Sequence, residues 1–354
     1  MNRIDMSLPL ATLVLLMAGL VTLSTAAPEF EFVTKQAGFM AVGFVLAAVI
    51  LFLGRRRIMA IVTPLYWTSI GLLVLTHLIG TEINGAKSWL ILGPLPGFQP
   101  SELAKISLTL ALAKALHEKP ITSFASYVRP ALILMLPFGL VFLEPDLGSS
   151  LVLAAIGAGM LVVRGIPWRH LLLFVIVIGV AAPTVVWPNL KPHQKTRLSS
   201  FLNPEADPKG SGFQVIQSRI AIGSGGVFGK GYKEGTQAQL GFIPYRYSDF
   251  IYPVLAEEGG FVAAVSLLAL YALLFWRLAA LAAECPYERD QLAIVGILSL
   301  LSFQVIINIG VTLGLAPVTG ITLPLVSYGG TSLISTLLSL SLAFVIHRDR
   351  YKDW

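Results

Sequence analysis

Charged side chains are scarce here, at 12% of 354 residues, and cysteine is almost absent, with Cys285 alone. A soluble domain carries about twice that charged share, so the first shortage excludes an ordinary water-soluble fold. A single cysteine excludes an internal disulfide. The five histidines (His77, His117, His170, His193, His347) are scattered, with neither HExxH nor CxxC, so no metal site is read from spacing. Missing too is the polar–apolar alternation over about ten residues that a membrane β-barrel strand would show. The net charge of +6 suggests nucleic acid, but the cations fall where membrane topology alone would put them, and no nucleic-acid partner is expected.

What the chain has instead is apolar length. Mean hydropathy is +0.78, and ten apolar runs stand out: 8–27, 37–53, 58–79, 103–116, 131–143, 147–163, 171–187, 250–276, 292–315 and 333–346. A spanning helix needs about 20 mainly apolar residues. Three runs (103–116, 131–143, 333–346) are short and borrow polar flanks. The expected fold is all-α, a polytopic integral membrane protein of ten transmembrane helices in one domain, 1–354. A long extracytoplasmic loop, about 189–248, joins helices 7 and 8. The first run has a signal-peptide outline, with Arg3 before it and Ala26–Ala27 after. It exceeds the usual apolar core of such a leader and further spans follow, so it reads as a retained helix.

Cations set the orientation. With ten spans, one side receives Arg3, Arg55, Arg56, Arg57, Lys114, Lys119, Arg129, Arg164, Arg169, Arg277, Arg289, Arg348, Arg350 and Lys352, while the short loops opposite keep Lys35 and Lys87. Both termini are therefore expected in the cytoplasm. Most acids lie on the other side, which points the chemistry outward.

Asp249 ends the polar outer segment immediately before an apolar run, and an acid at a membrane boundary facing a cationic loop is a functional candidate. In QPSELAK (99–105), Ser101 reads as a helix cap, placing Glu102 and Lys105 on one helix face. They are either a structural ion pair or part of a polar cavity for an anion. In LEPDLGSS (143–150), Asp146 either caps the next helix or faces the cavity of Asp249, and Pro145 fits that helix's first turn. Within the outer loop, 213–222 has the spacing of an amphipathic interfacial helix with Gln214, Gln217, Ser218 and Arg219 on its polar side. Gly223, Gly225, Gly226, Gly229 and Gly231 then surround Lys230, with Lys233 beyond. That run is either an anion-binding nest or a flexible hairpin. The breaker-rich segment 315–332 suggests irregular backbone packed against protein or water.

Together these segments resemble the SEDS family (shape, elongation, division and sporulation), the bacterial peptidoglycan glycosyltransferases. The matching stretches are NGAKSWLILG (84–93), QPSELAK (99–105), EPDLGSS (144–150), FLNPEADPKGSGFQVIQS (201–218), AIGSGGVFGKG (221–231), SDFIYPVLAEEGG (248–260) and PVTGITLPLVSYGGTS (317–332). FLNPEADP with GTQAQLGFIP resembles the rod-elongation branch more than the division branch. The resemblance implies polymerisation of lipid II on the outer face of the bacterial cytoplasmic membrane. It also implies a class B penicillin-binding protein and other rod-elongation membrane proteins as partners. Asp249 matches the family's essential acid, Asp146 a second sensitive acid, and Glu102 and Lys105 a third polar pair. Where the family has Glu-Arg-His-Thr before the acid, this chain has Tyr245, Arg246, Tyr247 and Ser248, so no histidine relay serves Asp249.

Joining two lipid-linked sugars needs a base for the acceptor hydroxyl and cations for the departing pyrophosphate. Asp249 is the expected base at the 4-hydroxyl of the acceptor sugar, placed at a helix N-terminus that favours its anion. Lys105, Arg197, Arg219, Lys230 and Lys233 are the candidate pyrophosphate holders. No cofactor is implied with certainty, and a divalent cation stays open. Two other functions stay open as well: a lipid II flippase, against which stand the one-sided polar cluster and the absence of inverted repeats, and a non-catalytic scaffold.

Overall fold

Runs that are apolar around their whole circumference have no water-facing stripe, so they form helices that bury one side in protein and offer the other to lipid. The computed structural model describes residues 6–351 except 28, 84, 92, 94–96, 119–123, 182–183, 185–186, 191 and 207–209. Arg3, Lys119, Lys352 and residues 207–209, used above, lie outside the described residues. Helices α1 (Ser7–Ala26), α2 (Glu31–Ala60) and α3 (Val62–Ile79) come first, then a hairpin of β1 (Thr81–Ile83) and β2 (Ala86–Trp89). Next are α4 (Pro100–Glu118), α5 (Val128–Leu143), α6 (Leu147–Arg164) and α7 (Trp168–Ala181). The segment between α7 and the next long helix holds short helices α8 (Trp187–Asn189), α9 (Pro192–Leu202), α10 (Ser211–Ser224) and α11 (Thr236–Gln239). Three long helices close the chain: α12 (Ile251–Ala283), α13 (Glu288–Leu313) and α14 (Gly330–Arg348).

Over its described residues, every expected apolar run lies on a helix, though boundaries move. The run 58–79 straddles two elements, because α2 ends at Ala60 and α3 restarts at Val62. Helix α4 already begins at Pro100, so Ser101 lies in its first turn rather than capping it. Helix α6 begins at Leu147, which leaves Pro145 outside its first turn.

Among the described residues, eight helices are long and apolar enough to cross a membrane: α1, α2, α3, α5, α6, α12, α13 and α14. Helix α4 is buried along most of its length and packs against α3, α5, α6, α13 and α14. A helix sheathed in protein does not need lipid-grade hydropathy, so it can carry Glu102, Lys105 and a ladder of serines and threonines. At the far end of the bundle from Asp249, Arg55 and Asp290 form a buried ion pair, and the Arg55 amide donates to Asp349. The hairpin is tied to α3 by Lys87, whose ammonium donates to the His77 and Leu78 carbonyls at 2.9 Å each, satisfying the open C-terminal turn.

Candidate active site

The turn 245–249 delivers the acid. Tyr245 sits at φ 52°, the Ser248 and Phe250 amides both donate to its carbonyl, and the fully buried Phe250 anchors the start of α12. Asn308 of α13 donates from one amide group to the carbonyls of Asp249 (3.0 Å) and Ile321 (2.7 Å). The Ser327 hydroxyl donates to the Ser248 carbonyl, and the Tyr328 amide to that of Tyr247 at 2.9 Å. Tyr271 of α12 donates to the Pro324 carbonyl. The breaker-rich segment is thus locked against the acid's turn, and its irregular carbonyls are met by buried side chains, as an apolar setting demands. Arg246 donates to the Ala26 carbonyl at the end of α1, at 2.7 Å. Tyr247, in the position of the missing histidine, packs with Phe32 and Tyr328.

Asp249 faces a cavity of about 1140 Å³ lined also by Lys35, Gln99, Glu102, Lys105, Asp146, Arg197, Gln214, Tyr247, Gln304 and residues 318–322. That exceeds the usual small-molecule pocket. Glu102 and Lys105 pair at 2.7 Å, and Ser335 donates to the second Glu102 oxygen, so the pair is both structural and part of the wall. Asp146 likewise does both: one oxygen accepts the Ser149 amide at 2.9 Å as the cap of α6, and the other accepts Gln99 at 3.1 Å.

Asp249 itself is not the cap of α12; Phe250 is. The expected helix-terminus stabilisation of its anion is therefore not the ruling influence. Burial pushes its pKa up to about 6, against the charge of Arg197 and a hydrogen bond from Ser248, which hold it down. A carboxylate so placed is a stronger base than a solvated one and still ionised at neutral pH. Glu144 next door is 1% exposed with neither carboxyl oxygen partnered, and burial followed by the charge of Asp146 pushes it up to about 8. It is a neutral acid at pH 7.

Half of the expected substrate-binding residues are not brought to this cavity. Gln217, Ser218, Arg219, Lys230 and Lys233 are absent from its lining. Ser218 donates to the Thr312 carbonyl at 2.7 Å and docks α10 on α13. Arg219 borders a small cleft that it shares with Arg197. The apolar side of α10 packs on protein, with Val215 and Ala221 against Ile243, Phe250 and Val311. The glycine run is a docking device. Amides of Lys230 and Gly231 donate to the Glu257 and Glu258 carbonyls at 3.0 Å, and those of Phe261 and Val262 donate back to Gly226 and Val227. Any β-carbon at Gly229 would lie 2.1 Å from the Glu258 oxygen, and one at Gly260, where α12 kinks at φ 68°, 2.2 Å from the Gly229 nitrogen. Lys230 is committed to an acid of the same chain: the fully buried Glu257 accepts Lys230 (2.7 Å), Thr236 (3.2 Å) and, at the start of α11, the amides of Gln237 (2.9 Å) and Ala238 (3.1 Å). Lys233 is exposed and lies near the Tyr232 ring.

The FTSW_RODA_SPOVE family model, described as a cell cycle protein, matches residues 4–352. The chain belongs to the FtsW/RodA/SpoVE family. It is 37% identical over 350 residues to the peptidoglycan glycosyltransferase MrdB of Escherichia coli K12, covering 98% of this chain and 94% of that one. It is 36% identical over 375 residues to stage V sporulation protein E of Bacillus subtilis, covering 99% and 98%. Its fold is similar to crystalline Thermus thermophilus rod shape determining protein RodA (TM-score 0.77, 41% identity, 99% of each chain). A chain from a structure reported as structural coordination of polymerization and crosslinking by a peptidoglycan synthase complex is similar at TM-score 0.88 and 47% identity over the whole of both chains.

Sequence reasoning missed Lys35, Gln99 and Gln304 in the family cavity. Lys35 was counted only as an outer cation, and Gln304 stands unmarked inside an apolar run. Only the packing of α13 on α4 brings Gln304 to the site.

Proposed function

We propose that this chain is a peptidoglycan glycosyltransferase that polymerises lipid II during cell elongation on the outer face of the bacterial cytoplasmic membrane. The observation that carries the proposal is a half-buried acid, Asp249, opening on a large cavity with Lys105 and Arg197 in its wall. Asp249 takes the proton of the acceptor 4-hydroxyl, and that oxygen bonds to the anomeric carbon of the donor. The bond from carbon to pyrophosphate breaks with inversion, and the cations hold the departing charge. One carboxylate suffices because the leaving group is already good, whereas a glycosidase uses two.

The membrane reading supports this placement. Helices α4 and α7 join the eight apolar helices as ten spans of one domain, α4 tolerated because protein surrounds it. The cation excess at the opposite end from Asp249 supports cytoplasmic termini. A class B penicillin-binding protein and other rod-elongation membrane proteins are the partners that fit this function. The test is the purified chain in detergent with lipid II alone. Glycan polymer is expected, whereas a flippase or scaffold would leave the lipid II unchanged.

A further inference from the structure

Buried polar atoms are almost always paired, and Gln304 breaks that rule inside the cavity. Its side chain is 2% exposed, its Oε1 is shut in without a hydrogen-bond partner, and the residue lines the cavity. Asn308, one turn along the same face of α13, holds the Asp249 backbone. Gln304 is therefore a single turn from a residue that touches the acid. Opposite, Gly296 of α13 meets Thr109 of α4. At about 1.5 Å per residue from that contact, Gln304 and Glu102 stand at nearly the same depth.

We propose that Gln304 is a specificity residue that turns its amide into the cavity and grips the acetamido group of an amino sugar beside the reacting centre. This rests on the glycosyltransferase function proposed above. A glutamine amide offers both a donor and an acceptor, and an acetamido group answers both through its carbonyl and N–H. Pyrophosphate only accepts, so it would leave the glutamine oxygen unmet. The cations Lys105 and Arg197 serve the phosphates, while this neutral amide faces the sugar. A leucine would fill the same volume without stranding a buried acceptor, so packing does not explain the polar side chain.

The experiment compares wild type and Gln304→Leu with ordinary lipid II and with lipid II whose sugar acetamido groups are free amines. Wild type is expected to prefer the acetylated substrate. In the variant, kcat/KM for acetylated lipid II falls about threefold to tenfold, the worth of a hydrogen bond or two, and changes little for the deacetylated form. The thermal midpoint holds or rises, because an orphaned acceptor is gone. Gln304→Met carries the same test if the leucine variant does not fold. A wild type indifferent to the acetyl group, an equal loss on both substrates, or a loss that follows a lower midpoint overturns the assignment. If wild type makes no glycan at all, the glycosyltransferase proposal itself falls, and this one with it.

Discussion

Two acids eight residues apart at the N-terminal end of α12, Glu257 fully buried and Asp249 partly so, are built for opposite ends. Glu257 accepts from a lysine, a threonine and two backbone amides. Asp249 has its backbone clamped by Asn308, but its carboxylate is left with the pull of Arg197 and a hydrogen bond from Ser248. Satisfied on every side, a buried carboxylate is inert and holds structure. Clamped at the backbone and starved at the carboxylate, it is positioned and basic. The count of donors around each acid separates a strut from a base, and neighbouring sequence does not.

The largest test of that contrast is Asp249→Asn. Loss of a positioned base lowers glycan synthesis from purified lipid II by about 10²–10⁴-fold. The thermal midpoint holds or rises, because the group removed was a desolvated charge. Wild-type turnover in this variant would make Asp249 a strut like Glu257.

Glu257→Ala should show the reverse signature. Breaking a buried, hydrogen-bonded pair destabilises by about 3–5 kcal/mol, somewhat less here because Lys230 is partly exposed. The readouts are a lower midpoint and faster proteolysis in the segment between α7 and α12, with turnover per folded molecule little changed.

A smaller effect is expected from Arg197→Gln, read in the pH profile. Asp249 works deprotonated, so the rate falls as pH drops through about 6. Arg197 holds that pKa down, so removing its charge raises it and moves the acid limb to higher pH. The loss is greatest in mildly acidic buffer and shrinks above neutrality. A profile that drops uniformly at every pH would assign Arg197 to the phosphates alone.

Smallest of all is Lys233→Ala, within about twofold of wild type, as for an exposed side chain without a buried partner. Lys230→Ala is expected to lower the midpoint rather than kcat. Either variant with a selective fall in kcat would return the pyrophosphate to the glycine loop.

The sequence by itself determined that this is a helical membrane protein, because uninterrupted apolar runs have few physical solutions in a bilayer. Asp249, Glu102, Lys105 and Asp146 were legible too, since acids and lysines at apolar boundaries are conspicuous and their family motifs are local. What only the tertiary structure decided is who faces whom. The glycine-rich loop looked like an anion nest, but its Lys230 and Gly231 amides go to backbone carbonyls, and the Lys230 ammonium meets Glu257 of the same chain, 27 residues on. Asp249 looked like a helix-stabilised anion, and burial instead makes it a stronger base. Gln304 gave no signal at all, because the cavity walls it shares sit on α4 and on the locked segment beyond α13. Burial and pairing are properties of contacts between distant stretches, and local pattern carries the residue types without carrying those contacts.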